Sequence, residues 1–266
     1  MKNIFIDSAP SRFANQLYPI AFALTLYDKY PGCFNKPLYK IHIQPKYCIN
    51  ILKKYFSEYI NFDLNTFEEQ YKLSKKEGIK DNVLTNESHI RCLYYCQDNN
   101  LIDEKIIQKY LCVPNEIKEQ IYDLYGDISD YICLHVRRGD YLKEKHSELY
   151  QVLTKEYIER VISKYFPNDK IICISDDIKW CKENLSNNAN IIFADKSSDP
   201  IIDFYIQTLT KGNIISGSTF STMGVLLNPN PNKICIAPEP MFKHKPWNKD
   251  LNICPDYAIR EQLNIQ

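Results

Sequence analysis

From Asp130 onward the chain repeats one unit, a short apolar run followed by a segment with helical spacing. Apolar runs at 131–136, 170–174, 190–193, 213–215 and 233–236 alternate with helix-like stretches near 154–165, 177–185, 199–210 and 219–227. Runs this short and this apolar are strands buried on both faces. Strands that alternate with helices make a parallel sheet covered on both sides. Two helix starts are marked chemically: Thr154 as an N-cap, and Asp199 before Pro200 at the first helical position.

The first of these strands does not fade into an ordinary loop. Tyr131-Ile132-Cys133-Leu134-His135-Val136 runs into Arg137-Arg138-Gly139-Asp140-Tyr141. Open α/β sheets bind ligands at the carboxyl ends of their strands. Arginine offers a planar fork of donors that matches phosphate oxygens and stays charged at any working pH. A phosphate-bearing ligand is one reading, and arginines paired with acids such as Asp140 or Asp177 are the other. Two further turns carry polar residues. Ser175-Asp176-Asp177 follows the second strand, where a carboxylate could accept paired hydrogen bonds from a ring N–H and an amino group, or cap the next helix. Ser216-Gly217-Ser218-Thr219-Phe220-Ser221-Thr222 opens the helix near 219–227, where hydroxyls and free N–H groups make an anion site or simple caps. Three such turns in one sheet favour a nucleotide-phosphate site. Neither a Gly-x-Gly-x-x-Gly nor a Gly-Lys-Ser loop is present.

The first half is less legible. Asn3 to Ile6 reads as a strand, 7–12 as a loop, and 14–26 as a helix with Leu17, Ile20, Ala21 and Leu24 on one face. Pro31-Gly32 stops that helix, and Pro19 should kink it. Strands are expected at 38–43 and 89–94, helices at 47–56, 103–111 and 115–125, a surface loop at 73–82, and a last helix at 255–263. Two α/β domains, 1–128 and 129–266, with parallel sheets facing a cleft account for the pattern, with Arg12 and Asn15 expected to face Arg137 across it.

Lysine plus arginine equals aspartate plus glutamate at 33 each, so no global field draws the chain to nucleic acid. Of ten cysteines, Cys133, Cys173 and Cys235 lie inside apolar runs, where a thiol acts as a small hydrophobe. No Cys-x-x-Cys, Asp-x-Asp or histidine cluster suggests a metal. An acid at position 7 argues against a signal peptide, and no run reaches the ~18 apolar residues of a membrane span. The expectation is a reduced, cytoplasmic protein without a transmembrane segment, for which peripheral membrane association stays open.

His-x-Arg-Arg-Gly-Asp-Tyr resembles the signature of the α-1,2-fucosyltransferases, glycosyltransferase family 11. Ser175-Asp176-Asp177 is similar to the family's second motif. The stretch 213–221, with Gly224 and Leu227-Asn228, resembles the third; Asp203 upstream also fits. At the N-terminus the family's Gly-Gly-Leu-Gly-Asn-Gln turn reads Ser11-Arg12-Phe13-Ala14-Asn15-Gln16, with Ser11 and Ala14 in place of glycines. The resemblance implies a GT-B-like enzyme of two Rossmann-like domains. It would move fucose from GDP-fucose, with inversion and no metal or cofactor, to a galactose-containing glycan. Carried over by position, Arg137 binds the β-phosphate, while His135 and Arg138 support the diphosphate. Asp176 and Asp177 lie on the guanine side, with Asp177 as the reader. Ser218, Thr219 and Phe220 line the phosphate and sugar, and Asn15 faces the diphosphate from the first domain, the acceptor side. Asp7 and Asp140 are the candidates for the base, and an oxocarbenium-like path needing little base assistance is the alternative. Another GDP-deoxysugar such as GDP-colitose, or a nucleotide-sugar or glycan binder without activity, would carry the same motifs.

Overall fold

The computed structural model describes residues 1–7, 12–40, 46–63, 83–85, 89–93 and 97–263. The chain divides into two compact units, Met1–Cys112 and Val113–Gln266.

In the first unit, β1 (Asn3–Asp7) leads into α1 (Phe13–Lys29), then β2 (Leu38–Lys40), α2 (Lys46–Phe56), β3 (Asn61–Asp63), β4 (Val83–Thr85), β5 (His89–Leu93) and α3 (Glu104–Tyr110). The sheet order is β3-β2-β1-β5-β4. All pairs are parallel except β4, which runs antiparallel to β5 and so departs from the all-parallel expectation. Phe13, Leu17, Tyr18, Ile20, Phe22 and Leu24 of α1 are all buried. A helix apolar on nearly every side belongs inside a domain, and this one continues through Pro19. The expected loop at 73–82 lies outside the described residues.

The second unit contains α4 (Asn115–Tyr125), β6 (Ile132–Val136), α5 (Lys155–Tyr165), β7 (Ile171–Ser175), α6 (Ile178–Leu185), β8 (Ile191–Phe193), α7 (Pro200–Leu209), β9 (Gly212–Ile214), α8 (Thr219–Leu226), β10 (Ile234–Glu239) and β11 (Ile259–Gln262). Its sheet, β11-β10-β9-β6-β7-β8, is parallel throughout. Every residue of β6 is buried, and Ile132, Leu134 and Val136 join Ile158, Val161, Ile171 and Cys173 in one core. The expected caps are in place: Thr154 Oγ1 accepts from Tyr157 N at 3.2 Å and Asp199 Oδ1 from Ile201 N at 3.0 Å.

Strand order decides where a ligand can sit. From β6 the chain builds outward through β7 to β8, then returns to β9 on β6's other side and builds away through β10 and β11. The connections leaving β6 and β9 therefore diverge at neighbouring strand ends, which is the crevice where such sheets bind ligands. The turns after β6, β7 and β9 are the three the sequence marked.

Two further expectations are revised. The unit division falls at 112/113, where the sequence reading put it near 128. Helix α4 belongs with the second unit, because it buries Ile117 and Ile121 and packs on α7. Tyr125 Oη accepts from Lys196 N at 3.0 Å on the same side. The tail is not a helix but the edge strand β11, paired with β10 from Ile236–Ile259 to Glu239–Gln262. Arg260 meets Glu239 at 3.2 Å, Glu261 accepts from Lys164 and Tyr165, and Leu263 enters the core. No described helix is long and apolar enough to cross a membrane, and Cys33, Cys48, Cys112, Cys133, Cys173, Cys181, Cys235 and Cys254 are free thiols.

Candidate active site

The two arginines after β6 diverge, as side chains at a strand end do. Arg137 Nη1 lies 2.9 Å from Asp176 Oδ2, its Nη2 donates to Asp140, and its guanidinium sits 5.3 Å over the Tyr141 ring. Arg138 turns elsewhere: its Nε is 3.1 Å from Asp177 Oδ2 and its guanidinium stacks 3.8 Å over Trp180. Both arginines are therefore paired with acids, and Arg137 also lines a cavity.

The neighbouring turns fix this arrangement through side chains that replace sheet hydrogen bonds. Beyond Leu134–Ile214 the β6–β9 ladder ends. There Ser216 Oγ donates to His135 O at 2.7 Å and accepts from Arg137 N at 3.0 Å. On the other side Ser175 Oγ donates to Val136 O at 2.6 Å and accepts from Asp177 N at 2.9 Å. Asp176 Oδ1 accepts from Arg138 N at 2.9 Å. Ser218 caps α8 through Phe220 N at 3.3 Å, followed by Thr219 in the first turn. The Tyr141 hydroxyl donates to Gly217 O at 3.0 Å, tying the turn after β6 to that after β9.

Gly139 is required by the same packing. A Cβ there would run into the Asp176 carboxylate, which is held by Arg137 and by Arg138 N. Gly139→Ala should therefore displace Asp176 and lower stability by about 1–3 kcal/mol, the range for hydrogen bonds to charged groups. Denaturant melts of parent and variant measure it; an unchanged midpoint would show that Asp176 moves aside freely.

A cavity of about 350 Å³ opens against these residues, lined by His135, Arg137, Asp176, Phe220 and Asp203 and by the segment from Ala194 to Pro200. Asp177 is not among its described lining residues. Asp177 Oδ1 accepts from Trp180 N at 3.2 Å and its Oδ2 meets Arg138, so it caps α6 and anchors the second arginine. Asp203 of α7 also lines the cavity, and its Oδ1 is buried without a partner. Burial, with the nearby Asp199 charge adding to it, pushes the Asp203 pKa up to about 7. Sequence reasoning noted Asp203 without giving it a task. The signal was available: an acid set among Ile201, Ile202, Phe204 and Tyr205 on a buried helix. His135 is buried, with its pKa lowered to about 4 by burial and partly restored by Asp176.

The remaining candidates lie in the first unit. Asn15 is half-buried in the first turn of α1, where its Oδ1 accepts from Gln97 Nε2 at 3.2 Å. Asp7 ends β1, opposite Leu93 and Lys40 in register. No group of three or more histidine, cysteine or acidic residues among the described residues could hold a metal ion.

The chain was compared with known proteins. O-antigen biosynthesis glycosyltransferase WbnK of Escherichia coli is 34% identical over 170 residues, 57% of this chain and 55% of that protein. Galactoside 2-alpha-L-fucosyltransferase SEC1 of Bos taurus is 27% identical over 106 residues, 37% of this chain and 29% of that one. The alignments thus span about half and under a third of these relatives. Among solved structures, NodZ alpha-1,6-fucosyltransferase soaked with GDP-fucose superposes with a TM-score of 0.52 at 14% identity, covering 86% of this chain and 94% of that one. That likeness is one of fold, the GT-B type. The model of Glycosyl transferase family 11 matches residues 26–251, so the chain belongs to glycosyltransferase family 11.

Proposed function

We propose that the protein transfers L-fucose from GDP-fucose, with inversion, to a glycan hydroxyl, the 2-hydroxyl of a terminal galactose. The observation that carries this is Arg137, held by two carboxylates at the switch point of the parallel sheet and lining the cavity. Family membership and the GDP-fucose soaked into NodZ give the donor its chemistry.

In this reading the acceptor oxygen attacks fucose C1 from the face opposite the leaving group. The C1–O bond breaks and its electron pair stays on the β-phosphate of GDP. Guanidinium carries five N–H donors, so Arg137 keeps donors for phosphate beyond those used by Asp140 and Asp176. The N-terminus of α8, with Ser218 and Thr219, adds backbone N–H groups toward the same charge. Arg138 supports this from behind by fixing Asp177 and the turn. Guanine presents a ring N–H beside an amino group, and the base contact falls to Asp203 in place of Asp177, because Asp203 lines the cavity and Asp177 is turned to Arg138 and Trp180 N. The acceptor proton goes to a carboxylate, Asp140 on the Arg137 turn.

With fixed cationic groups serving the diphosphate, turnover needs no divalent ion. GDP release from GDP-fucose with galactose-terminated acceptors should proceed at nearly unchanged rate in excess EDTA. Activity abolished by EDTA and restored by magnesium or manganese would overturn the metal-free mechanism. Turnover with GDP-colitose but not GDP-fucose would move the donor to another deoxysugar, and GDP binding without turnover would make the chain a nucleotide-sugar binder.

A further inference from the structure

His135 is held by one segment on three sides. Its carbonyl accepts from Ser216, its ring lies 5.2 Å from that of Phe220, and its Nδ1 shares a hydrogen bond with Ser221 Oγ. Ser221 stands in the first turn of α8 and is fully buried. Its bond to His135 is the only one its hydroxyl makes among the described residues.

A hydroxyl has one hydrogen to place, and an imidazole nitrogen either donates or accepts according to tautomer. Were the ring proton on Nδ1, it would donate to Ser221 and leave the serine hydrogen buried with no acceptor, a state folded proteins avoid. With the hydroxyl donating to a bare Nδ1, both partners are satisfied and the ring proton sits on Nε2. We propose that Ser221 is a positioning residue that fixes His135 as the Nε2–H tautomer, so that the cavity receives a neutral hydrogen-bond donor for an oxygen of the nucleotide-sugar.

The ring lines the cavity, and Nε2 is the polar atom that Ser221 does not occupy. Burial disfavours the charged imidazolium and Asp176 only partly offsets it, so the ring stays neutral near pH 7. A neutral donor serves a ligand oxygen beside Arg137 without a second cation close by. The opposite tautomer would turn a lone pair on that oxygen. The task assigned to the nucleotide-sugar rests on the donor reading above; the tautomer does not.

The test is nitrogen NMR on the protein labelled at its histidines, of which there are five, with His135→Gln to assign the signal. The parent should show His135 Nδ1 at the shift of an unprotonated nitrogen and Nε2 at that of a protonated one; the reverse overturns the assignment. Folded Ser221→Ala should lose the single tautomer and bind GDP about 3- to 10-fold more weakly by calorimetry, the worth of one neutral hydrogen bond. Ser221→Thr, which keeps the hydroxyl, should restore both. An unchanged tautomer and affinity in Ser221→Ala would remove Ser221 from this role. A parent with the Nε2–H tautomer but no affinity for GDP would overturn the donor reading and leave the Ser221–His135 assignment standing.

Discussion

Arg137→Lys should fold normally and turn over about 100-fold more slowly or worse. The substitution keeps a positive charge between Asp140 and Asp176 but replaces a planar fork by a single point of charge. Charge on the departing β-phosphate grows as the sugar bond breaks, so the loss belongs in kcat more than in KM. Removing one oriented donor to such a charge costs about 100- to 1000-fold. Arg138→Lys is the contrast. Arg138 reaches Asp177 at 3.1 Å and stacks on Trp180 at 3.8 Å, contacts that brace α6 against the turn. Lysine there forfeits the stacking, worth about 0.5–2 kcal/mol, so the melting temperature should fall while kcat changes modestly. Steady-state kinetics and melts on both variants decide it. Near-parental kcat in a well-folded Arg137→Lys would take Arg137 out of the mechanism.

What the sequence disclosed, and what it hid, follows from how local each feature is. The second unit was readable because its strands are buried on both faces, so each is an unbroken apolar run, and because its helices begin at recognisable caps such as Thr154 and Asp199. Strands β3 and β4 were not, since Asn61-Phe62-Asp63 and Val83-Leu84-Thr85 are three residues each, too short to show a period, and owe their state to pairing with β2 and β5. The tail misled for the same reason. Ile259-Arg260-Glu261-Gln262 has no strand-like alternation, and its identity comes from pairing with β10. The unit boundary was misplaced because an amphipathic helix displays its apolar stripe without saying which partner receives it; α4 gives Ile117 and Ile121 to α7. At the site, the sequence marked Ser175-Asp176-Asp177 as a whole, and the turn meets both arginines. Which carboxylate faces Arg137 depends on a single backbone step, and sequence alone does not resolve that step.

Asp203 supplies the other large effect. A carboxylate that accepts a ring N–H and an amino group from guanine must be ionised to do so. With a pKa near 7, Asp203 is about 10% ionised at pH 6 and about 90% at pH 8, and apparent affinity scales with the competent fraction. GDP should therefore bind the parent about tenfold more tightly at pH 8 than at pH 6, releasing a proton as it does. Asp203→Asn cannot ionise and keeps only one carbonyl acceptor. Its affinity should lack this rise and, at pH 8, fall below the parent's by about tenfold or more, the worth of a charged hydrogen bond. The nucleotide's phosphate also titrates, but equally for both proteins, so the ratio of their affinities isolates Asp203. Folding stability gives an independent reading. Because the folded pKa lies above the unfolded value of about 4, the neutral acid favours the folded state at low pH. That contribution is complete below about pH 4 and lost as pH rises to 7. The ligand-free Asp203→Asn should thus gain on the parent by about 1–3 kcal/mol between those limits, with water in the cavity screening part of the burial term. Calorimetric titrations of GDP and denaturant melts across that range test both arms. Parallel pH profiles for parent and variant would remove Asp203 from the base contact.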